Sequence, residues 1–125
     1  WARSVYKRQW GYTPLESVAF HVPTITTDLA GFGLWVNSLK GSYSELKDGV
    51  KVIHRSDYNY SEVADVIKDN ISVFSGMSDT EIKVIRKRAA DIAEKALWKH
   101  FIKYYYEAYD VALRNAQKRL LLGEN

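Results

Sequence analysis

Only two stretches of this 125-residue chain, Thr24–Thr27 and Val50–Ile53, have the β-branched density of a strand. Beyond Tyr58 the apolar residues recur at helical spacing instead. Val63, Val66, Ile67, Ile71 and Phe74 form one stripe, entered through Asn59 with Glu62 three residues on. Ser75-Gly76-Met77-Ser78 interrupts it, and a Ser78/Glu81 capping box opens a second stripe of Ile82, Ile85, Ala89, Ile92, Ala93 and Ala96. A last helix, drawn as continuous with that one or separate from it, groups Trp98, Phe101, Ile102, Tyr105, Tyr109 and Ala112. Two short strands do not make a stable sheet alone, so the pattern expects further strands ahead of Trp10 in a longer parent. The order helix, strand, loop, strand and then helices only is that of the closing part of an α/β domain.

The first helix is signalled by Thr13-Pro14-Leu15-Glu16. Thr13 is the expected cap, Pro14 takes the first helical position, and Glu16 closes a capping box. Leu15, Val18, Ala19 and Val22 supply its apolar face, and Pro23 is expected to end it. Asp28–Gly33 reads as a glycine-punctuated loop, and Gly41–Gly49 as a polar, turn-rich segment.

Composition closes off several classes. Hydrophobic residues make up 46% and charged residues 26%, which excludes a disordered tail. No apolar run approaches the roughly 18 residues of a membrane span. The chain has no cysteine, which removes disulfide and thiolate chemistry and suits a cytoplasmic location. A net charge of +3 suggests an anionic partner such as nucleic acid until its placement is considered. Arg3, Lys7 and Arg8 fall in the first nine residues, and without them fifteen basic residues meet fifteen acidic ones. The expectation is therefore no nucleic acid and no membrane. Residues 1–9, Trp1-Ala2-Arg3-Ser4-Val5-Tyr6-Lys7-Arg8-Gln9, fit no regular element and resemble a translated transposase-type sequencing adapter. They are read as a non-native segment.

The chemistry concentrates at Gly11-Tyr12-Thr13-Pro14-Leu15-Glu16. A glycine ahead of a helix start lets a ligand approach the backbone, and the free N–H groups and dipole there suit a diphosphate. A carboxylate one turn in can accept hydrogen bonds from vicinal hydroxyls, as acidic residues do on nucleotide riboses. On local pattern alone, a well-capped helix explains the same residues. The wider string alters that balance. Trp10-Gly11-Tyr12-Thr13-Pro14-Leu15-Glu16-Ser17, followed by His21-Val22-Pro23-Thr24-Ile25-Thr26-Thr27-Asp28-Leu29-Ala30-Gly31-Phe32-Gly33, resembles the signature of family-3 glycogen synthases. That signature runs approximately E-P-W-G-Y-T-P-x-E, then G-I-P-S-I-T-T-N-L-S-G-F-G.

The resemblance covers about 25 residues densely and implies the C-terminal part of a GT-B Rossmann-like domain. It divides the chain into residues 10–57, the end of the nucleotide-sugar-binding α/β domain, and residues 58–125, C-terminal helices of the same domain. Such enzymes retain anomeric configuration, require no metal or other cofactor, and move glucose from a nucleotide diphosphate to the 4-hydroxyl of an α-1,4-glucan. The implied donor is UDP-glucose ahead of ADP-glucose, the acceptor is glycogen or another α-glucan, and a homo-oligomer is compatible. Carried over, Trp10 would line the donor pocket, Gly11, Tyr12 and Thr13 would contact the diphosphate, and Glu16 would bind the ribose hydroxyls. The family's first glutamate falls at Arg8 and its proline at Gln9, so no catalytic residue is assigned and the piece is expected to be inactive alone. Asp28–Gly33 corresponds to a loop near the cleft with a weaker ligand role.

Other candidates fare worse. His21, His54 and His100 share no metal-binding spacing. Tyr104, Tyr105, Tyr106 and Tyr109 read as helix packing in preference to a glucan-stacking surface. Lys83, Arg86, Lys87 and Arg88 read as a solvated face in preference to an allosteric phosphate site. Another GT-B hexosyltransferase, or a non-catalytic nucleotide-binding, glucan-binding or helical interaction domain, stays open as an alternative. Amplifying the locus from source DNA across residues 1–10 should yield different codons ahead of Trp10. Recovering the same nine codons would refute the adapter origin.

Overall fold

A computed structural model describes residues 10–123; the expectations for residues 1–9 lie outside the described residues. The chain divides after Glu94 into two units. It is an α/β mix, mostly helical with two short parallel strands. The first unit runs α1 (Tyr12–Ala19), β1 (Thr24–Thr27), α2 (Gly31–Lys40), a 3-10 turn (Leu46–Asp48), β2 (Val50–Ile53), α3 (Tyr60–Ser75) and α4 (Asp79–Lys95). The second carries α5 (Trp98–Leu122).

Both strands fall where β-branched density places them. They pair in parallel, Thr24 opposite Val50 through Thr27 opposite Ile53. Parallel pairing corrects the loop expected at Asp28–Gly33, because the chain must return to the same end of the sheet and needs a crossover, usually helical. The ten-residue α2 supplies it, beginning inside the supposed loop at Gly31. Glycines at 31 and 33 depress local helix propensity by up to about 1 kcal/mol each, which hides the element. Gly33 is there for contact: a Cβ on it would collide with the Thr27 carbonyl oxygen. The start of α2 is thereby seated directly on the end of β1.

The core joins α1, α2, β2 and α4. Val18, Phe32, Val36, Val50, Val52 and Ala89 are buried together, with Leu15, Trp35, Ile92 and Ala93 packed against them. Ile82 and Ala93 are half-buried and Ile85 is buried, so the predicted stripe faces inward along α4; Ala96 falls beyond the helix, in the second unit. The α3 stripe does not follow suit. Only Val63 is buried, and Ile67 and Ile71 are exposed. Asn59 does precede α3, but its side chain turns back to accept from the Ser56 N–H at 2.8 Å and donate to the His54 carbonyl at 2.9 Å. It makes no side-chain cap on α3, so the expected pairing with Glu62 is absent. The Ser78/Glu81 box forms as read, with the Ser78 N–H 2.8 Å from Glu81 and the Glu81 N–H returned to Ser78 Oγ at 3.4 Å. Hydrogen bonds from the Ser78 backbone and side chain hold the Glu81 carboxyl below its ordinary value. In the second unit, α5 is separated from α4 by Ala96 and Leu97. Trp98 and Tyr105 approach to 4.8 Å between ring centroids, and the tyrosines stand exposed.

α1 ends before Pro23. Ala19 closes the helix, and the His21 and Val22 N–H groups bond back to the Val18 and Ser17 carbonyls at 2.9 and 3.1 Å. This is a Schellman termination with His21 in the left-handed position at φ 59. Ala19 and Val22, expected on the buried face, are exposed. A left-handed non-glycine residue costs about 1–2 kcal/mol, and glycine's extra unfolded-state freedom offsets up to about 1. His21→Gly should therefore stabilise the first unit by roughly 0.5–1 kcal/mol in urea titration.

Candidate functional site

Two helix starts meet at the carboxyl edge of the sheet. Three residues separate β1 from α2, placing the start of the helix past the strand's carboxyl end. Gly11 precedes α1 with left-handed dihedrals, φ 84 and ψ 64. A Cβ added at Gly11 would stand 3.4 Å from Ala30 Cβ and 3.7 Å from Phe32 Cβ. The Phe32 N–H donates to the Trp10 carbonyl at 2.7 Å. That bond uses one N–H from the first turn of α2 to hold Trp10, two residues ahead of α1.

The start of α1 differs from the one expected. Gly11 is the cap and contributes no side-chain bond, so Thr13 lies inside the first turn and the Thr13/Glu16 box is not the device that opens the helix. Pro14 sits third instead of first, still among the positions whose N–H has no partner within the helix. Trp10 is half-buried, with its ring 6.0 Å from that of Trp35, which in turn lies 5.9 Å from Phe32. The structure thus brings Trp10 and Gly11 onto α2. Tyr12, Thr13 and Glu16 are exposed on α1, with Glu16 in its second turn. Each helix start carries about half a positive charge, so this corner favours an anion. Arg8 and Gln9 lie outside the described residues.

Sequence reasoning gave the Asp28–Gly33 loop only a weak ligand role and did not foresee the polar network around Asp28. Asp28, just past β1, accepts from His54 Nδ1 at 2.7 Å, the Tyr43 hydroxyl at 3.0 Å and the Arg55 N–H at 3.0 Å. Its own N–H donates to the Ile53 carbonyl at 3.1 Å. The carboxylate is shielded, at 12% side-chain exposure, whereas His54 is 66% exposed. Burial pushes the Asp28 carboxyl up, but the bonds from His54, Arg55 and Tyr43 outweigh it and hold it below its ordinary 3.8. The same contact raises the Tyr43 phenol. The available signal was positional: an aspartate directly after a strand occupies the edge where open α/β sheets bind ligands. No group of three or more His, Asp or Glu side chains among the described residues is arranged to hold a metal ion. No helix among them is long and apolar enough to cross a membrane.

Because the folded Asp28 carboxyl titrates below its unfolded value, its contribution is complete above about pH 4 and is lost as pH falls through the lower, folded value. Asp28→Asn should cost roughly 1–3 kcal/mol at neutral pH. Asp48 and Glu81 are also lowered and keep their share of the acid slope in both proteins. The gap between variant and parent in urea titrations should therefore narrow from pH 5 to pH 3 without vanishing. An unchanged gap would exclude Asp28 as a source of the acid sensitivity.

Comparison with known proteins gives this corner its context. A family model described as glycogen synthase matches residues 2–122. The chain is 29% identical over 119 residues to a glycogen [starch] synthase of Neurospora crassa and 28% identical over 122 residues to isoform 1 from Saccharomyces cerevisiae. Each alignment covers 95% of this chain and 17% of the relative. The liver glycogen [starch] synthase of Mus musculus is 24% identical over 111 residues, 89% of this chain and 16% of the relative. The chain thus spans about a sixth of the length of the curated relatives it matches. With nearly its whole length matched by the family model, this chain belongs to the glycogen synthase family.

Proposed function

We propose that the chain is part of a retaining GT-B glycosyltransferase that moves glucose from UDP-glucose to the 4-hydroxyl of an α-1,4-glucan such as glycogen. The observation that carries this reading is the left-handed Gly11 turn, packed against the start of α2, so that two helix starts adjoin at one corner. Glucosyl transfer places new negative charge on the departing nucleotide diphosphate. Backbone N–H groups already oriented at a helix start stabilise that charge without reorganising. In this assignment Gly11, Tyr12 and Thr13 receive the diphosphate, Trp10 walls the donor pocket, and Glu16 accepts hydrogen bonds from the ribose hydroxyls.

We further propose that the chain is inactive alone, since Arg8 and Gln9 stand where the family signature has its first glutamate and proline. Absence of cysteine accords with a cytoplasmic location. The decisive assay uses the protein extended to the length of its relatives, with glycogen and labelled UDP-glucose or ADP-glucose. UDP-glucose should support incorporation, and Gly11→Ala, which places a side chain at φ 84, should lower kcat/KM about 100-fold. Glu16→Gln should mainly raise KM, by about tenfold. Incorporation from ADP-glucose alone would reassign the donor, and none from either would refute the synthase reading.

A further inference from the structure

His54, the partner of Asp28, borders a cleft of about 210 Å³ between β2 and α3. Its floor is apolar, with Val52 buried on the strand and Val63 and Val66 on the helix. Four polar side chains border it: Tyr43, Lys51, His54 and Glu62. Their commitments define what they can still bind. Lys51 is 15% exposed and ion-paired to Glu45 at 2.6 Å, so its charge is already met. An ionised Asp28 only accepts, so His54 donates from Nδ1 and keeps Nε2 as its second hydrogen-bonding atom. The Tyr43 hydroxyl spends its proton on Asp28 and keeps its lone pairs. Among the described residues Glu62 has no ion-pair partner and accepts through both oxygens.

The rim therefore offers acceptors at Tyr43 and Glu62, and the charge of its lysine is already met. An anion would meet the Glu62 carboxylate, and a flat apolar ligand would leave these acceptors unmatched. A neutral molecule with several hydroxyl donors around a ring and C–H groups on its face satisfies both floor and rim. The volume lies below the roughly 300 Å³ at which drug-sized sites begin, which matches one ring and not an extended chain. We propose that this cleft binds a single pyranose unit, with Glu62 accepting from its hydroxyls, His54 Nε2 hydrogen-bonded to another, and Val63 and Val66 beneath its C–H face. The site is separate from the Gly11 corner; only the choice of an α-1,4-linked glucose probe rests on the glycosyltransferase reading.

The test is an amide-shift NMR titration of this chain with maltose. Saturable shifts are expected at Lys51, His54, Glu62 and Val63, with a dissociation constant on the order of 1–10 mM. Glu62→Ala should weaken binding about tenfold. Val66→Phe, which fills the floor, should abolish it, and both variants should retain the dispersed amide spectrum of the parent. Because His54 touches Asp28, His54→Gln serves as a second rim variant that retains a hydrogen-bonding group, and it should weaken binding less than Glu62→Ala. Absence of saturable shifts, shifts centred on the tyrosines of α5, or affinity unchanged in both Glu62→Ala and Val66→Phe would each overturn the proposal. Donor binding is read separately, by UDP-glucose shifts at Gly11–Glu16, so either site can fail without the other.

Discussion

Parallel pairing of two four-residue strands is the constraint from which the rest of the first unit follows. A parallel partner cannot be reached by a tight turn, so the chain leaving Thr27 must travel the length of the sheet and come back. That requirement creates α2, places its start at the carboxyl edge, and sets Phe32 and Val36 in the core against Val50 and Val52. It also brings the residue after each strand to the same edge. Asp28 can then take the His54 ring and the Arg55 N–H although 26 and 27 residues separate them.

Two anchors organise that edge. The Trp10 carbonyl receives an N–H from α2, which ties the start of α1 to the start of its neighbour. The Asp28 carboxylate gathers Tyr43, His54 and Arg55, and Asn59 closes the segment behind them through its bonds to His54 and Ser56. One anchor fixes backbone where an anion is favoured; the other fixes side chains at the rim of a cleft that offers acceptors. Their chemistry differs because the first uses helix dipoles and the second uses acceptors left over after internal pairing.

What could be read from sequence follows the range of the interaction. Both strands and the Ser78/Glu81 box were legible because β-branched density and a three-residue capping geometry are local. α2 was not, since Gly33 answers to a contact with Thr27 that no local pattern reports. Thr13 looked like a cap because Thr-Pro-x-Glu is a common opening, yet Gly11 precedes it in a conformation that only tertiary packing reveals. His21 stands where the family signature carries glycine, the residue that takes a left-handed position with least strain. Asp28 was hidden because its partners are dispersed along the chain, whereas Gly11–Glu16 is one continuous string. The α3 stripe misled in the opposite sense: Ile67 and Ile71 repeat at helical spacing but lie exposed among the described residues.

The close seat of Gly33 on Thr27 has a mechanical corollary. With no side chain between them, the first turn of α2 and the last residue of β1 cannot slide past one another without backbone collision. Trp10 is hydrogen-bonded to that same turn. The Gly11 corner is therefore coupled to the strand end through α2. A displacement of the strand end would carry the start of α2 and Trp10 with it, as one stiff jaw.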